Sequence, residues 1–191
     1  MLSMKKNMRL LDKILIGLFV FINTYGAAYA YTELHPENSA YRHNNKGLIY
    51  IKENNYYAAA AEFQTAIDLM PNAQGTAAYY VNLASVYEKL GYDEEVKICL
   101  ERALKLNPLY FDYYKRAAEW YKKAGILNSK IKEYENNRRS PLDDVMLGLL
   151  YIQKGEISKG VTILDNFCCA EEQLIITEGV RGYINSLVMQ D

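Results

Sequence analysis

A small residue followed three positions later by tyrosine recurs at near-regular intervals along this chain, at Gly47 and Tyr50, Ala84 and Tyr87, Ala118 and Tyr121, and Gly148 and Tyr151. The intervals are 37, 34 and 30 residues. A period of this size marks an array of supersecondary units, each too small to bury its own apolar face. Around each pair the spacing i, i+3, i+4, i+7 continues upstream to His43, Tyr80, Tyr114 and Asp144. That spacing is one face of a helix. The small residue lets a second helix backbone come close, and the tyrosine one turn on fills the space beside that contact.

A second apolar stripe follows each tyrosine at fixed offsets. Tyr50 leads to Ala59, Phe63, Ala66 and Pro71, and Tyr87 leads to Val96, Leu100, Ala103 and Pro108. After Tyr151 the same offsets reach Gly160, Leu164 and Phe167, and after Tyr121 they reach Lys130 and Asn137. The unit is therefore a helical hairpin, with a distorted third copy where Lys130 and Asn137 replace small residues. Turn signals separate the paired helices at Asn54-Asn55, Gly91, Gly125 and Gly155, since glycine enters the left-handed region at no steric cost. Pro71 and Pro108 stop the second helix. Asp93 and Ser140 are the expected N-caps of their helices, with Pro141 in the first turn and Asp143 behind it.

The segments from Gly47 to Pro71 and from Ala84 to Pro108 resemble tetratricopeptide repeats. The run Ala103-Leu-Lys-Leu-Asn-Pro108 is similar to the family's usual helix ending. The resemblance implies a right-handed, all-α solenoid of about four repeats, over 40–73, 77–110, 111–139 and 141–170. Residues 171–191 are read as a capping helix, with Ile176, Val180, Tyr183 and Leu187 on one stripe. Such a helix covers an end that would otherwise expose its apolar face.

In this family the first helices line a concave groove. Placed by that resemblance, the groove residues are Asn44, Leu48 and Ile51; Val81, Ser85 and Glu88; Lys115, Glu119 and Lys122; and Val145, Leu149 and Ile152. Leu149 and Ile152 fit burial under a neighbouring helix equally well. A groove of this kind takes a helix or an extended peptide. Some relatives clamp a terminal carboxylate, at sites that fall here on Asn44, Leu48, Asn82, Asp112 and Arg116. Leu48 cannot donate a hydrogen bond and Asp112 repels an anion, so that specificity is not expected. The implied function is a non-catalytic interaction scaffold or adaptor. The alternatives are an accessory subunit presenting substrate to an envelope or secretion enzyme, and a glycan- or peptide-binding module.

The first thirty residues read as a secretory signal. Lys5, Lys6, Arg9 and Lys13 precede an apolar run from Ile14 to Ile22, and Ala28-Tyr29-Ala30 fits a signal peptidase. Tyr31 is the expected mature N-terminus, and Tyr31 to Ser39 a flexible lead. The apolar run is too short to span a bilayer as a helix. The expected location is therefore periplasmic or secreted, without stable membrane insertion. Removing those four cations and Asp12 from 22 basic and 23 acidic residues leaves a net charge of −4, which argues against nucleic acid as a partner.

Catalytic chemistry finds no constellation. His35 lies in the lead, and His43 fits a hydrogen-bonded structural role. No zinc-ligand spacing or phosphate-binding glycine loop occurs, so no metal or cofactor is expected. Of the three cysteines, Cys99 sits two helix layers from Cys168 and Cys169 and should be unbridged to them. Vicinal residues on a helix diverge by about 100°, so one of Cys168 and Cys169 is expected inside and the other outside.

Overall fold

The computed structural model describes residues 18–26 and 35–189. Residues 18–26 are helical, with Phe19, Phe21 and Ile22 facing solvent. No described helix is long and apolar enough to cross a membrane. The basic residues before Ile14 and the expected cleavage site at Ala28 to Ala30 lie outside the described residues.

Among the described residues from 35 onward there are nine helices: α1 (Pro36–Lys52), α2 (Tyr56–Leu69), α3 (Thr76–Leu90), α4 (Asp93–Leu106), α5 (Phe111–Lys123), α6 (Leu127–Asn136), α7 (Leu142–Lys154), α8 (Ile157–Ala170) and α9 (Ile175–Val188). They pair as hairpins α1–α2, α3–α4, α5–α6 and α7–α8, stacked into an all-α solenoid around one continuous core.

The small residues sit where the paired helices touch. A Cβ on Gly47 would meet the Phe63 ring at 2.7 Å, and one on Gly148 would meet Leu164 at 2.6 Å. Ala84 and Ala118 occupy the same register and are fully buried. Ala84→Leu should therefore overpack α3 against α4 and lower stability by about 1–3 kcal/mol. Ser85, one residue on, is half-buried, and its hydroxyl merely returns to the Val81 carbonyl at 3.0 Å. Ser85→Leu should shift the urea midpoint far less. Equal shifts would show that the helix phase is wrong.

Each hairpin turn holds one left-handed residue: Asn54 (φ 58°), Gly91 (φ 77°), Gly125 (φ 73°) and Gly155 (φ 94°). Asn55 then caps α2, its side chain accepting from the Ala58 N–H at 3.3 Å. Two other caps differ from expectation. Asp93 lies inside the first turn of α4 with no side-chain cap bond. Ser140 precedes a helix that starts at Leu142, and Asp143 reaches back to accept from the Arg139 and Ser140 N–H groups at 2.6 and 2.9 Å. The lead is also shorter than expected, because Pro36 sits in the first turn of α1 and Ser39 is already buried. Proline tolerates that position, where its missing N–H has no helical partner.

The third hairpin is loose for an identifiable reason. Lys130 occupies the register held by Ala59, Val96 and Gly160 in the others. Its stem keeps α6 away from α5, so the two touch lightly, and α7 packs against both. The Lys130 ammonium is nearly buried. It lies 3.0 Å from Glu133, 3.5 Å from Glu101 and 5.0 Å from the centre of the Tyr121 ring. A buried cation persists only with such partners. Of the tyrosines at helix starts, Tyr114 is buried, while Tyr79, Tyr80 and Tyr113 are only half-buried.

Candidate partner-binding groove

The first helices of the first three hairpins are tied side by side by polar contacts. On α1, Asn44 is buried and accepts a hydrogen bond from the Asn82 amide of α3 at 2.8 Å. The Asn44 side-chain oxygen is thus taken up in the contact between α1 and α3. On α3, Glu88 receives Arg116 of α5 and, at 2.5 Å, Lys123. Burial pushes the Glu88 carboxyl up, but the hydrogen bonds and charge of Lys123 and Arg116 outweigh it and hold the group below the usual carboxylate range. Asn82 and Arg116, the two positions that matched a carboxylate clamp, are both engaged within the chain.

A parallel triad lies at the first hairpin. His43 Nδ1 is 2.6 Å from Glu62, which also receives Lys46. Burial again opposes ionisation of Glu62, and the bonds from Lys46 and His43 prevail, so its pKa is lowered.

These two lowered carboxylates fix a pH dependence. A group whose folded pKa is depressed adds stability above its unfolded value, near 4.5, and that stability is lost as pH falls through the folded pKa. The melting temperature should therefore hold from pH 7 to about 5 and fall below it. Glu88→Gln should start lower and lose less across the acid range. An unchanged acid slope in that variant would show that the Arg116–Glu88–Lys123 contact is not formed.

The other half of the groove is closed. Val145 and Leu149 are 0% and 1% exposed, which corrects the assignment of Val145 to the groove and, of the two readings of Leu149, selects burial. The closing helix is α9. Tyr183 packs against Phe111 with ring centres 5.6 Å apart, Gly179 brings the backbone within reach of the Phe111 Cβ, and Lys115 lies 5.8 Å from the Tyr183 ring centre. Burial raises the Tyr183 hydroxyl, with Lys115 opposing and Glu119 adding to the rise, so two of the three expected groove charges of α5 border this helix. Ile176 and Val180 join Val145 and Leu149 in the core. The C-terminal helix therefore packs on α8 and reaches back to α5 along the groove side, beyond an end cap. A cleft of about 460 Å³ remains between Leu109, Tyr110 and Lys115 of the α5 start and Ile175, Gly182 and Ser186 of the α9 side.

What stays open is the N-terminal half. Leu48 is exposed, and Ile51, Val81 and Ser85 are half-exposed. Lys122 and Lys123 are exposed at the α5 end, and Ile152 is half-buried beyond α9. Sequence reasoning missed Lys123, and it placed Arg116 only as a clamp candidate. The signal for both was their two-turn, i and i+7 spacing on one face of α5.

Reactive groups are sparse. Cys99 and Cys168 are buried and Cys169 is exposed, all as free thiols, and burial with the nearby Glu95 charge pushes Cys99 up to about 12. No group of three or more metal-ligating side chains exists among the described residues.

The family model of the tetratricopeptide repeat matches residues 40–72 and 77–108, the first two hairpins. Among solved structures, the chain is similar to the second such domain of human RPAP3 in complex with the HSP70 peptide SGPTIEEVD, at 20% identity over 69% of this chain and 97% of that one, with a TM-score of 0.46. It is similar to MamA at 22% identity over 87% and 96%, with a TM-score of 0.46. It is also similar to a tetratricopeptide repeat protein from Parabacteroides merdae ATCC 43184 at 19% identity over 81% and 68%, with a TM-score of 0.49. No protein with a curated description matches the chain. With small residues where the helices cross, a left-handed residue in each turn and a match to the family model, residues 40–72 and 77–108 are tetratricopeptide repeats, and the other hairpins continue the same solenoid.

Proposed function

We propose that this protein is a non-catalytic scaffold, exported to the periplasm or beyond the cell, that holds a protein segment in the open half of its groove. The observation that carries the reading is the chemistry of that half. Leu48, Ile51 and Val81 offer apolar surface at one end. At the other, Arg116 and Lys123 share the single carboxylate of Glu88, and Lys122 adds a further exposed cation. Positive charge is in surplus there. A partner segment with apolar residues followed by acidic ones fits this order, with the apolar anchors giving affinity and the charges setting register and association rate. Export is supported by the basic stretch, the apolar run and the small residues at Ala28 and Ala30.

The test combines Val81→Ser with Lys122→Glu in the native host. Partner capture by crosslinked pull-down should fall at least about tenfold, while helical content and melting temperature change little. N-terminal sequencing of the same material should begin at Tyr31. Undiminished capture would remove the groove from the account, and a chain still beginning near Met1 would remove export by cleavage.

A further inference from the structure

The residue before each repeat tyrosine is apolar: Ile49, Val86, Trp120 and Leu150. This register docks a hairpin onto the one before it. Val86, Trp120 and Leu150 are 0%, 3% and 0% exposed, whereas Ile49 is 53% exposed. Ile49 thus carries a docking side chain with no preceding hairpin among the described residues to receive it. Tyr41 and Leu48 flank it on the same outward face, at 61% and 38% exposure. The C-terminal end of the solenoid is covered by α9, and the N-terminal end has no equivalent cover among the described residues. Solenoid ends left in this state are normally capped.

The face is complementary to itself. With about 100° per residue, Glu37, Tyr41, Leu48 and Lys52 fall on one side of a line through Asn45. Arg42, Ile49 and Glu53 fall on the other. Two copies of α1 laid antiparallel about a two-fold axis at Asn45 keep each side facing its own counterpart with the direction reversed. Tyr41 then meets Leu48 of the second copy and Glu37 meets Lys52. Across the axis, Arg42 lies over Ile49 and toward Glu53. Opposite charges meet at both ends and apolar groups meet between them, as an isologous interface requires.

We propose that the outward face of α1 is a self-association surface, on which a second copy of this chain docks antiparallel about Asn45. The two open groove halves would then lie at the junction of the pair. One helix from each copy makes a small interface, so the dimer is weak and depends on concentration.

The experiment measures the mass of the purified chain by light scattering over a range of concentrations. Wild type should pass from one copy to two and no further. Ile49→Glu, which lies outside the groove, should weaken self-association at least about tenfold without changing helical content or melting temperature. Should that variant fold poorly, Asn45→Cys in a Cys169→Ser background gives a second readout. Mild oxidation should link it as a dimer, because residue 45 meets itself at the axis, while Gln64→Cys on the exposed side of α2 should not link. A single copy at every concentration would overturn the proposal. So would species larger than two, association indifferent to Ile49→Glu, or residue 45 crosslinking no better than residue 64. With Phe21→Cys added as a second cysteine, a disulfide from residue 45 to residue 21 within one chain would also overturn it, since the chain would then cover its own end.

Discussion

Gly160→Leu should destabilise the protein by at least about 3 kcal/mol, the largest loss expected from any single change in a hairpin interface. A Cβ there would lie 2.5 Å from the Gly148 carbonyl oxygen and 2.5 Å from Ile152 Cγ1. The first of these is backbone and cannot swing aside as a side-chain tip can. α7 and α8 would have to part, taking Leu164 and Phe167 out of the core. Gly182→Ala is the control. Nothing lies within 4 Å of its added Cβ, and alanine in a helix is better than glycine by up to about 1 kcal/mol. Urea unfolding of the two variants should therefore move in opposite directions. If both moved together, the close approach of α7 and α8 would not be what holds the fourth hairpin.

Val180→Asp should detach the C-terminal helix, at a loss on the order of 3–5 kcal/mol. Val180 is fully buried, and the charge would find no partner among Val145, Leu149 and Ile176 in the same core. With α9 released, the faces of α8 and α5 that it covers would meet solvent. A hydrophobic dye should bind more strongly, and amide exchange across 157–170 should quicken. The α1–α2 hairpin, whose contact is Gly47 on Phe63, should keep its protection. Uniform loss of protection along the chain would mean that the solenoid unfolds as one unit and α9 is not a separable cover.

The hairpins were legible because their signals are local. Gly47, Ala84, Ala118 and Gly148 announce where helices cross, and each crossing lies within some fifteen residues of its partner along the chain. The loosened third hairpin was legible for the same reason: Lys130 in a position meant for a small residue admits few arrangements. The groove was only half legible. The stripe of Ile176, Val180 and Tyr183 says that one face of α9 is buried, but not against what. Where α9 lands is decided by Gly179 and Tyr183 meeting Phe111, about seventy residues upstream. The tie from Asn44 to α3 was not legible for a similar cause. Its hydrogen-bond partner, Asn82, belongs to another repeat, and nothing near Asn44 in sequence marks the pairing.

The central claim is that a protein partner sits in the open half of the groove. Photo-crosslinking in the native host tests it most directly, with the photoreactive residue placed at Ser85, at Val81, or at Gln64 on the outer side of α2. The account predicts a discrete crosslinked protein at Ser85 and Val81 and none at Gln64. Adducts at Gln64 with none at Ser85 or Val81 would contradict it.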